Sequence, residues 1–478
     1  MKTIQTAQNI EITDISTEGK GIGRINDIVC FVDLAIPGDV VDIQITKKKS
    51  NYREGKVIHY HKLSEKRIEP VCKHFGVCGG CKWQNMNYET QLFYKQKYVI
   101  DALTRIGRLT PGPSPQGEGS VSLPIIPSQK QFHYRNKLEY TFSNRRWLTK
   151  DELNLTLSSS PSVSLSHTGL GFHIPKLFDK VLDIEECHLQ ADPSNSIRLE
   201  VKKYAMENTL SFFDIRKQTG FLRNLIIRST SIGHWMVIVV FFYEDNADRE
   251  KLLKHLSEAF PQITSLQYVI NPKKNDSIFD LEVKTFSGED YIQEEMEGLK
   301  FRISPKSFFQ TNSAQAYELY KITREFAELN PTETVYDLYT GTGTIANFVA
   351  QQAKKVIGIE YINAAIEDAK INSQINGISN TEFFAGDIKD VLNNEFILKH
   401  ERPNVIITDP PRAGMHEDVV RKILEISPEK IIYVSCNPAT QARDISFMLE
   451  KYFVKKIQPV DMFPHTAHVE SVLQLKIK

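Results

Sequence analysis

Ile431-Ile432-Tyr433-Val434-Ser435-Cys436-Asn437-Pro438 is an apolar run that ends on a lone thiol. Such a cysteine is either a small core residue or a nucleophile held beyond the carboxyl end of a strand, where open α/β sheets gather their ligands. The surrounding chain decides between them. From about residue 315 strands and helices alternate, the pattern of a parallel doubly wound, Rossmann-like sheet. The predicted strands are 334–338, 355–359, 381–384, 405–408 and 431–434, with a last one over 469–477. Each of the first five is followed by a residue able to touch a ligand: the Tyr339-Thr340-Gly341-Thr342-Gly343-Thr344 turn, Glu360, Asp387, Asp409 and Cys436.

A single glycine turn is weak evidence. The acidic residue about 20 positions on, at the next strand end, strengthens it because carboxylates hold ribose hydroxyls. The turn lacks the third glycine of a dinucleotide fingerprint and the Gly-Lys-Ser/Thr of a phosphate loop. A nucleoside ligand without a pyrophosphate, such as S-adenosylmethionine, fits better. Asp409 and Cys436 then emerge beside that ligand. Free cysteine ionises at about pH 8.5, so a nucleophile needs a nearby cation or helix start. Arg412, in Asp409-Pro410-Pro411-Arg412, is the candidate.

At 478 residues the chain is too long for one hydrophobic core, so several domains are expected. Its 41% hydrophobic and 25% charged residues are those of an ordinary soluble protein. No run is as long as a membrane span, and the first residues lack the apolar core of a signal peptide, which makes the cytoplasm the expected compartment. A formal net charge of zero argues against indiscriminate coating of nucleic acid and leaves room for local basic patches.

Residues 1–60 read as a small OB-like β-barrel, with Cys30 in its core. Lys47, Lys48, Lys49, Tyr52, Arg53 and Lys56 give it a basic and aromatic edge suited to single-stranded nucleic acid. Residues 61–300 read as a central α+β domain that opens with Cys72, Cys78 and Cys81 around Gly79-Gly80. Thiolates at that spacing bind zinc or an iron–sulfur cluster, both of which want four ligands; the unassigned cysteine is Cys187. A helix is predicted over 88–108, free to pack on the last domain. A flexible insertion is predicted over 110–122 and a polar loop over 157–162. Tyr134, Arg135, Asn136, Lys137, Arg223 and Arg228 are candidate RNA contacts on a strand face. Residues 301–478 form the catalytic domain.

Taken in order, five stretches resemble the motifs of the RNA (uracil-5-)-methyltransferase family, and the resemblance covers nearly the whole chain. They are Phe308-Phe309-Gln310-Thr311-Asn312, Asp337-Leu338-Tyr339-Thr340-Gly341-Thr342-Gly343, Asp409-Pro410-Pro411-Arg412-Ala413-Gly414, Ser435-Cys436-Asn437-Pro438-Ala439-Thr440 and Phe463-Pro464-His465-Thr466-Ala467-His468-Val469-Glu470. The resemblance implies a class I S-adenosylmethionine-dependent methyltransferase whose N-terminal barrel is a TRAM domain. It implies Cys72, Cys78, Cys81 and Cys187 as ligands of a [4Fe–4S] cluster in preference to zinc. Gln310, Tyr339, Thr344, Glu360, Asp387 and Asp409 would contact S-adenosylmethionine, Cys436 would be the nucleophile and Glu470 the base. Barrel and cluster together point to the ribosomal RNA branch, acting on 23S ribosomal RNA without a membrane or an obligate protein partner.

The chemistry explains these residue types. Uracil carbon 5 is a poor nucleophile, and attack of a thiolate on carbon 6 activates it. A carboxylate must later remove the carbon 5 proton. The target base has to be unstacked, with the barrel and central domain gripping its neighbours. Two other readings are the same reaction on tRNA, or on both RNAs, and an RNA-binding assembly factor without catalysis. Cys436 together with Glu470 argues against the last, and aspartate rather than asparagine at position 409 argues against adenine methylation.

Overall fold

The computed structural model describes residues 5–109, 120–149, 152 and 167–478. Its first unit is a curled six-stranded sheet in the order Thr6–Glu11, Val40–Lys48, Tyr52–Lys62, Ile28–Asp33, Gly21–Ile25 and Asp14–Ile15. Alternate side chains turn inward, and Ile10, Ile12, Cys30, Val32, Val41 and Ile43 form the core. The strand Thr6–Glu11 closes on Gly21–Ile25 at Gly23, where a Cβ would lie 2.6 Å from Ile10 and 2.7 Å from the Glu11 carbonyl. On the basic edge, Lys47 is paired with Glu54 at 2.8 Å.

The central sheet has eight strands, ordered Lys284–Gly288, Ser265–Ile270, Trp235–Phe241, Leu222–Ser229, Lys137–Ser143, Gly169–Ile174, Leu177–Asp183 and Arg146–Trp147. The period of two in its middle strands divides their apolar side chains between two cores. Leu225, Ile227, Val237 and Val239 pack with Ile197, Val201 and Leu252 of the helices Ser194–Glu207 and Asn246–Ala259. Ile226, Met236, Ile238 and Val240 instead join Phe301, Leu319 and Val335. One core therefore runs across the boundary expected at 300.

The expected RNA face on this sheet is corrected by the structure. Tyr134, Asn136, Arg223 and Arg228 are buried. Arg223 donates to the carbonyls of Asn271, Lys273 and Asn275, and Arg228 to those of Ser304 and Ser307. A planar fork of donors gathers carbonyl oxygens as readily as phosphates, and residue type alone does not distinguish the two.

The predicted helix 88–108 ends earlier, spanning Tyr88–Arg105 with Asn87 as its cap. Val99, Ala102 and Leu103 share a core with Ile445 and Met448 of the helix Pro438–Met448. Residues 110–119 of the predicted insertion, and the predicted loop 157–162, lie outside the described residues. The end of the insertion is ordered into an edge strand, Val121–Ser122, paired in parallel with Lys456 and Ile457.

The last sheet is ordered Thr381–Ala385, Lys355–Glu360, Thr334–Leu338, Val405–Thr408, Lys430–Ser435, Glu470–Ile477, Tyr452–Val460 and Val121–Ser122. Its first five strands are parallel, and Glu470–Ile477 runs antiparallel between Lys430–Ser435 and Tyr452–Val460. The strand Tyr452–Val460 was not predicted, because Lys455 and Lys456 interrupt its apolar pattern. Strand order reverses between Thr334–Leu338 and Val405–Thr408, the switch point at which doubly wound sheets bind ligands. Among the described residues, no helix is long and apolar enough to cross a membrane.

Candidate active site

Three neighbouring strands deliver three reactive side chains to one sheet edge. Asp409 leaves Val405–Thr408, Cys436 leaves Lys430–Ser435, and Glu470 begins the antiparallel neighbour. Adjacent strands lie about 4.8 Å apart, so the three stand side by side. Burial, then the Asp409 charge, pushes the Glu470 carboxyl up to about 8, opposed by Arg412. Burial and Asp337 push Asp409 up to about 7. The Cys436 thiol is pushed up to about 11 by burial, Glu470 and Asp409, while Arg412 pulls it down through its charge and a hydrogen bond. At neutral pH the resting site holds the thiol, and Glu470 titrates close enough to neutrality to supply a carboxylate.

The loop bearing Arg412 is tied to the helix that follows Cys436. Asn437 caps Pro438–Met448 by accepting from the Ala439 amide at 3.2 Å, and its Nδ2 donates to the Arg412 carbonyl at 2.9 Å. Buried Asp444 accepts from the Met415 amide at 2.7 Å and the Tyr433 hydroxyl at 2.6 Å. The Arg412 guanidinium meets Nδ1 of His468, whose ring is held near pKa 4 by lost hydration and the Arg412 cation. A neutral ring leaves Nδ1 free to accept from Arg412.

Beside this row lies the glycine turn. Gly341 has φ +55° and a Cβ there would meet nothing within 4 Å, so the backbone faces open space. Glu360 accepts from the amides of Gly341 at 3.2 Å and Ile362 at 3.0 Å. Asp387 caps the next short helix, Ile388–Val391. The Tyr339 phenol is pushed up to about 12 by burial, Asp444 and Asp387. Thr344 is buried, its hydroxyl 3.3 Å from that of Thr342, inside the turn rather than on its open side. Gln310 is held through its main chain, its carbonyl accepting from Asn136 Nδ2 at 2.9 Å. Carboxylates at successive strand ends around an open turn fit S-adenosylmethionine, which offers ribose hydroxyls and a cationic centre.

The segment leading to Glu470 is gripped from outside the sheet by residues that sequence reasoning missed. Lys95 Nζ donates to Asp461 Oδ1 at 2.5 Å and to the Phe463 carbonyl at 2.9 Å. Gln91 Oε1 accepts from the His465 amide at 2.8 Å. The Lys82 and Trp83 amides donate to the His465 carbonyl at 2.8 and 3.1 Å. One signal was present: Gln91 and Lys95 fall on the same helix stripe as Val99, where apolar residues were expected.

Cys72, Cys78, Cys81 and Cys187 are free thiols. Burial, then the neighbouring cysteines, pushes Cys81 up to about 12, so the four sense one another. Among the described residues, however, no group of three or more His, Cys, Asp or Glu side chains is placed to hold a metal ion. The donor set has the chemistry of the expected iron–sulfur site.

The profile of the tRNA (uracil-5-)-methyltransferase family matches residues 230–478, and that of the TRAM domain matches residues 2–58. An "uncharacterized RNA methyltransferase" of Bacteroides thetaiotaomicron is 55% identical over 97% of this chain and 100% of its own. One from Porphyromonas gingivalis is 55% identical over 98% of this chain and 99% of its own. The crystal structure of Pyrococcus abyssi tRNA (uracil-54, C5)-methyltransferase in complex with S-adenosyl-L-homocysteine is similar at a TM-score of 0.74 and 28% identity, over 98% of this chain and 100% of that one. With its half-buried thiol beside carboxyls on a methyltransferase sheet, this chain belongs to the tRNA (uracil-5-)-methyltransferase family of S-adenosylmethionine-dependent RNA methyltransferases and carries a TRAM domain.

Proposed function

We propose that this chain methylates carbon 5 of a uridine in 23S ribosomal RNA, with Cys436 as nucleophile and Glu470 as base. The reading rests on the row Asp409, Cys436 and Glu470 across three adjacent strand ends, with Arg412 beside the thiol. Arg412 favours the thiolate once the thiol has given its proton to water; the sulfur then bonds to carbon 6 and the 5,6 π electrons move toward the carbonyl at position 4. S-adenosylmethionine, when bound, supplies the methyl group as a sulfonium. Gln310, Tyr339, Thr344, Glu360, Asp387 and Asp409 are the residues proposed to hold it. Carbon 5, once methylated, carries a proton that Glu470 removes. The carbon–sulfur bond then breaks, the 5,6 double bond returns and the thiolate leaves. Residues 1–60 and 61–300 are proposed to grip RNA around the unstacked base, and 301–478 to carry the transfer.

The ribosomal target is supported by the TRAM barrel together with the four thiols, proposed as ligands of a [4Fe–4S] cluster. A second reading, the same reaction on tRNA, is favoured by likeness over the full length to an enzyme named for tRNA uracil-54. Purified protein with methyl-labelled S-adenosylmethionine and separate 23S and transfer RNAs decides between them. Label at uridine carbon 5 of 23S RNA is expected. Label confined to tRNA overturns the target, and undiminished labelling by Cys436→Ala overturns the mechanism.

A further inference from the structure

The segment Tyr134–Asn136 belongs to the central unit, yet both ends of the reaction lean on it. Asn136 Nδ2 donates to the Gln310 carbonyl at 2.9 Å and to the Ser313 hydroxyl at 2.8 Å, and the Asn136 amide donates to the Thr311 carbonyl at 2.9 Å. Ser313 in turn donates to Glu294, which is fully buried, at 2.5 Å. Two residues earlier, the Tyr134 hydroxyl donates to the Pro464 carbonyl at 3.0 Å, on the segment that leads to Glu470. The Arg135 guanidinium lies 5.2 Å from the Phe463 ring centre on that same segment. From behind, the Arg135 amide donates to the Leu189 carbonyl at 2.7 Å, and the Ser229 amide donates to the Asn136 carbonyl at 2.8 Å. Tyr134 and Asn136 are both buried, so neither is a docking surface.

We propose that Tyr134 and Asn136 are positioning residues with separate duties: Asn136 sets the Gln310–Ser313 segment for the methyl donor, and Tyr134 sets the segment carrying Glu470. The inference rests on the function proposed above and adds to it that the catalytic sheet is incomplete without the central unit. Its physical basis is the unequal reach of the two side chains. The Asn136 amide group bonds the donor segment, while the Tyr134 hydroxyl reaches the base segment. Removing a donor from a buried carbonyl leaves that acceptor unsatisfied, and the segment shifts to find a new partner.

Full-length Asn136→Asp and Tyr134→Phe, which keep shape, provide the test, with Asn136→Ala as a second variant at the first position. S-adenosylhomocysteine binding is measured by calorimetry, and the RNA–protein adduct on denaturing gels. Both Asn136 variants are expected to bind S-adenosylhomocysteine about tenfold more weakly without accumulating adduct. Tyr134→Phe is expected to bind it as the parent does, to accumulate adduct and to lose turnover with an unchanged KM for S-adenosylmethionine. Matching losses of affinity in all variants, or an unchanged affinity in both Asn136 variants, overturn the inference. A parent chain that neither binds S-adenosylhomocysteine nor methylates uridine overturns instead the function on which it rests.

Discussion

Cys436 and Glu470 stand at the position just beyond the Ser435–Ser471 pair of two antiparallel strands. Side chains directly opposite in such a pair have Cβ atoms about 5 Å apart. Each charge therefore raises the cost of the other, and Glu470 is among the causes that push the Cys436 thiol up to about 11.

Burial of Glu470 gives stability a pH dependence with a definite sign. Glu470 in the folded chain titrates at about 8, above its ordinary 4.5. Between those values the folded state binds more protons than the unfolded one, so this group's contribution is fully present below about pH 4.5 and is lost as pH rises through 8. Glu470→Gln cannot lose a proton. It is expected to lie within about 1 kcal/mol of the parent in urea melts at pH 5 and to exceed it by on the order of 4 kcal/mol at pH 9. Methylated RNA–protein adduct should accumulate in the same variant. Equal stability of variant and parent at pH 9 would falsify the buried, proton-holding carboxyl.

Arg412 opposes the two carboxyls at the thiol, and a cation at hydrogen-bond range raises the thiolate fraction. Alkylation of Cys436 by iodoacetamide, read by mass spectrometry, should therefore quicken steadily from pH 7 to 10. It should slow about tenfold in Arg412→Ala at a given pH. Cys436→Ala should abolish methylation, a loss of more than about 10³-fold, while binding S-adenosylhomocysteine normally. An Arg412→Ala rate equal to the parent's removes this arginine from thiol activation.

Much of this was legible in the chain because the parallel sheet writes itself plainly. Buried strands such as Val405–Thr408 are continuous apolar runs, and the residues after them stand at the edge where doubly wound sheets gather ligands. Asp409, Cys436 and Glu470 were found that way or through the family motifs, and the structure brings all three together. What could not be read was who holds them. Asn136 and Arg228 have the residue types of an RNA-binding face, and whether their donors meet phosphate or carbonyl depends on contacts across 174 residues for Asn136 and 76 for Arg228. The single core joining Ile238 to Val335 was hidden for the same reason: period-two alternation says that a strand has two faces, not which partner covers each.

The four thiols give a metal-dependent prediction. Cys81 is followed by Lys82 and Trp83, whose amides hold the His465 carbonyl, so anything that braces the cysteine loop also braces the segment before Glu470. Protein prepared anaerobically is expected to carry about four iron and four sulfide per chain if these thiols hold a [4Fe–4S] cluster. Cys81→Ser should lose most of that iron, lower the melting temperature and reduce turnover. Iron retained undiminished in Cys81→Ser would remove this residue from the ligand set, and zinc found in place of iron and sulfide would reassign the metal.

Lys95 and Asp461 form an ion pair whose side chains are both 0% exposed. Tyr88 completes it, its hydroxyl donating to Asp461 Oδ2 at 2.7 Å. Burial drives the Lys95 ammonium below its ordinary range, against the pull of Asp461, so the pair persists only because each partner offsets the other's lost hydration. Lys95→Met leaves Asp461 charged and buried with one remaining side-chain donor, a change that typically costs about 3–5 kcal/mol. The Phe463 carbonyl loses a partner in the same stroke, which frees the segment carrying His468 and Glu470. Lys95→Met is therefore expected to be strongly destabilised and to turn over more slowly. Lys95→Met with Asp461→Leu should recover most of the stability, since two apolar groups of similar volume replace a pair that was near balance. It should recover little of the activity, because the Phe463 carbonyl still lacks its tie to the helix Tyr88–Arg105. Full recovery of both would mean that the pair only fills space.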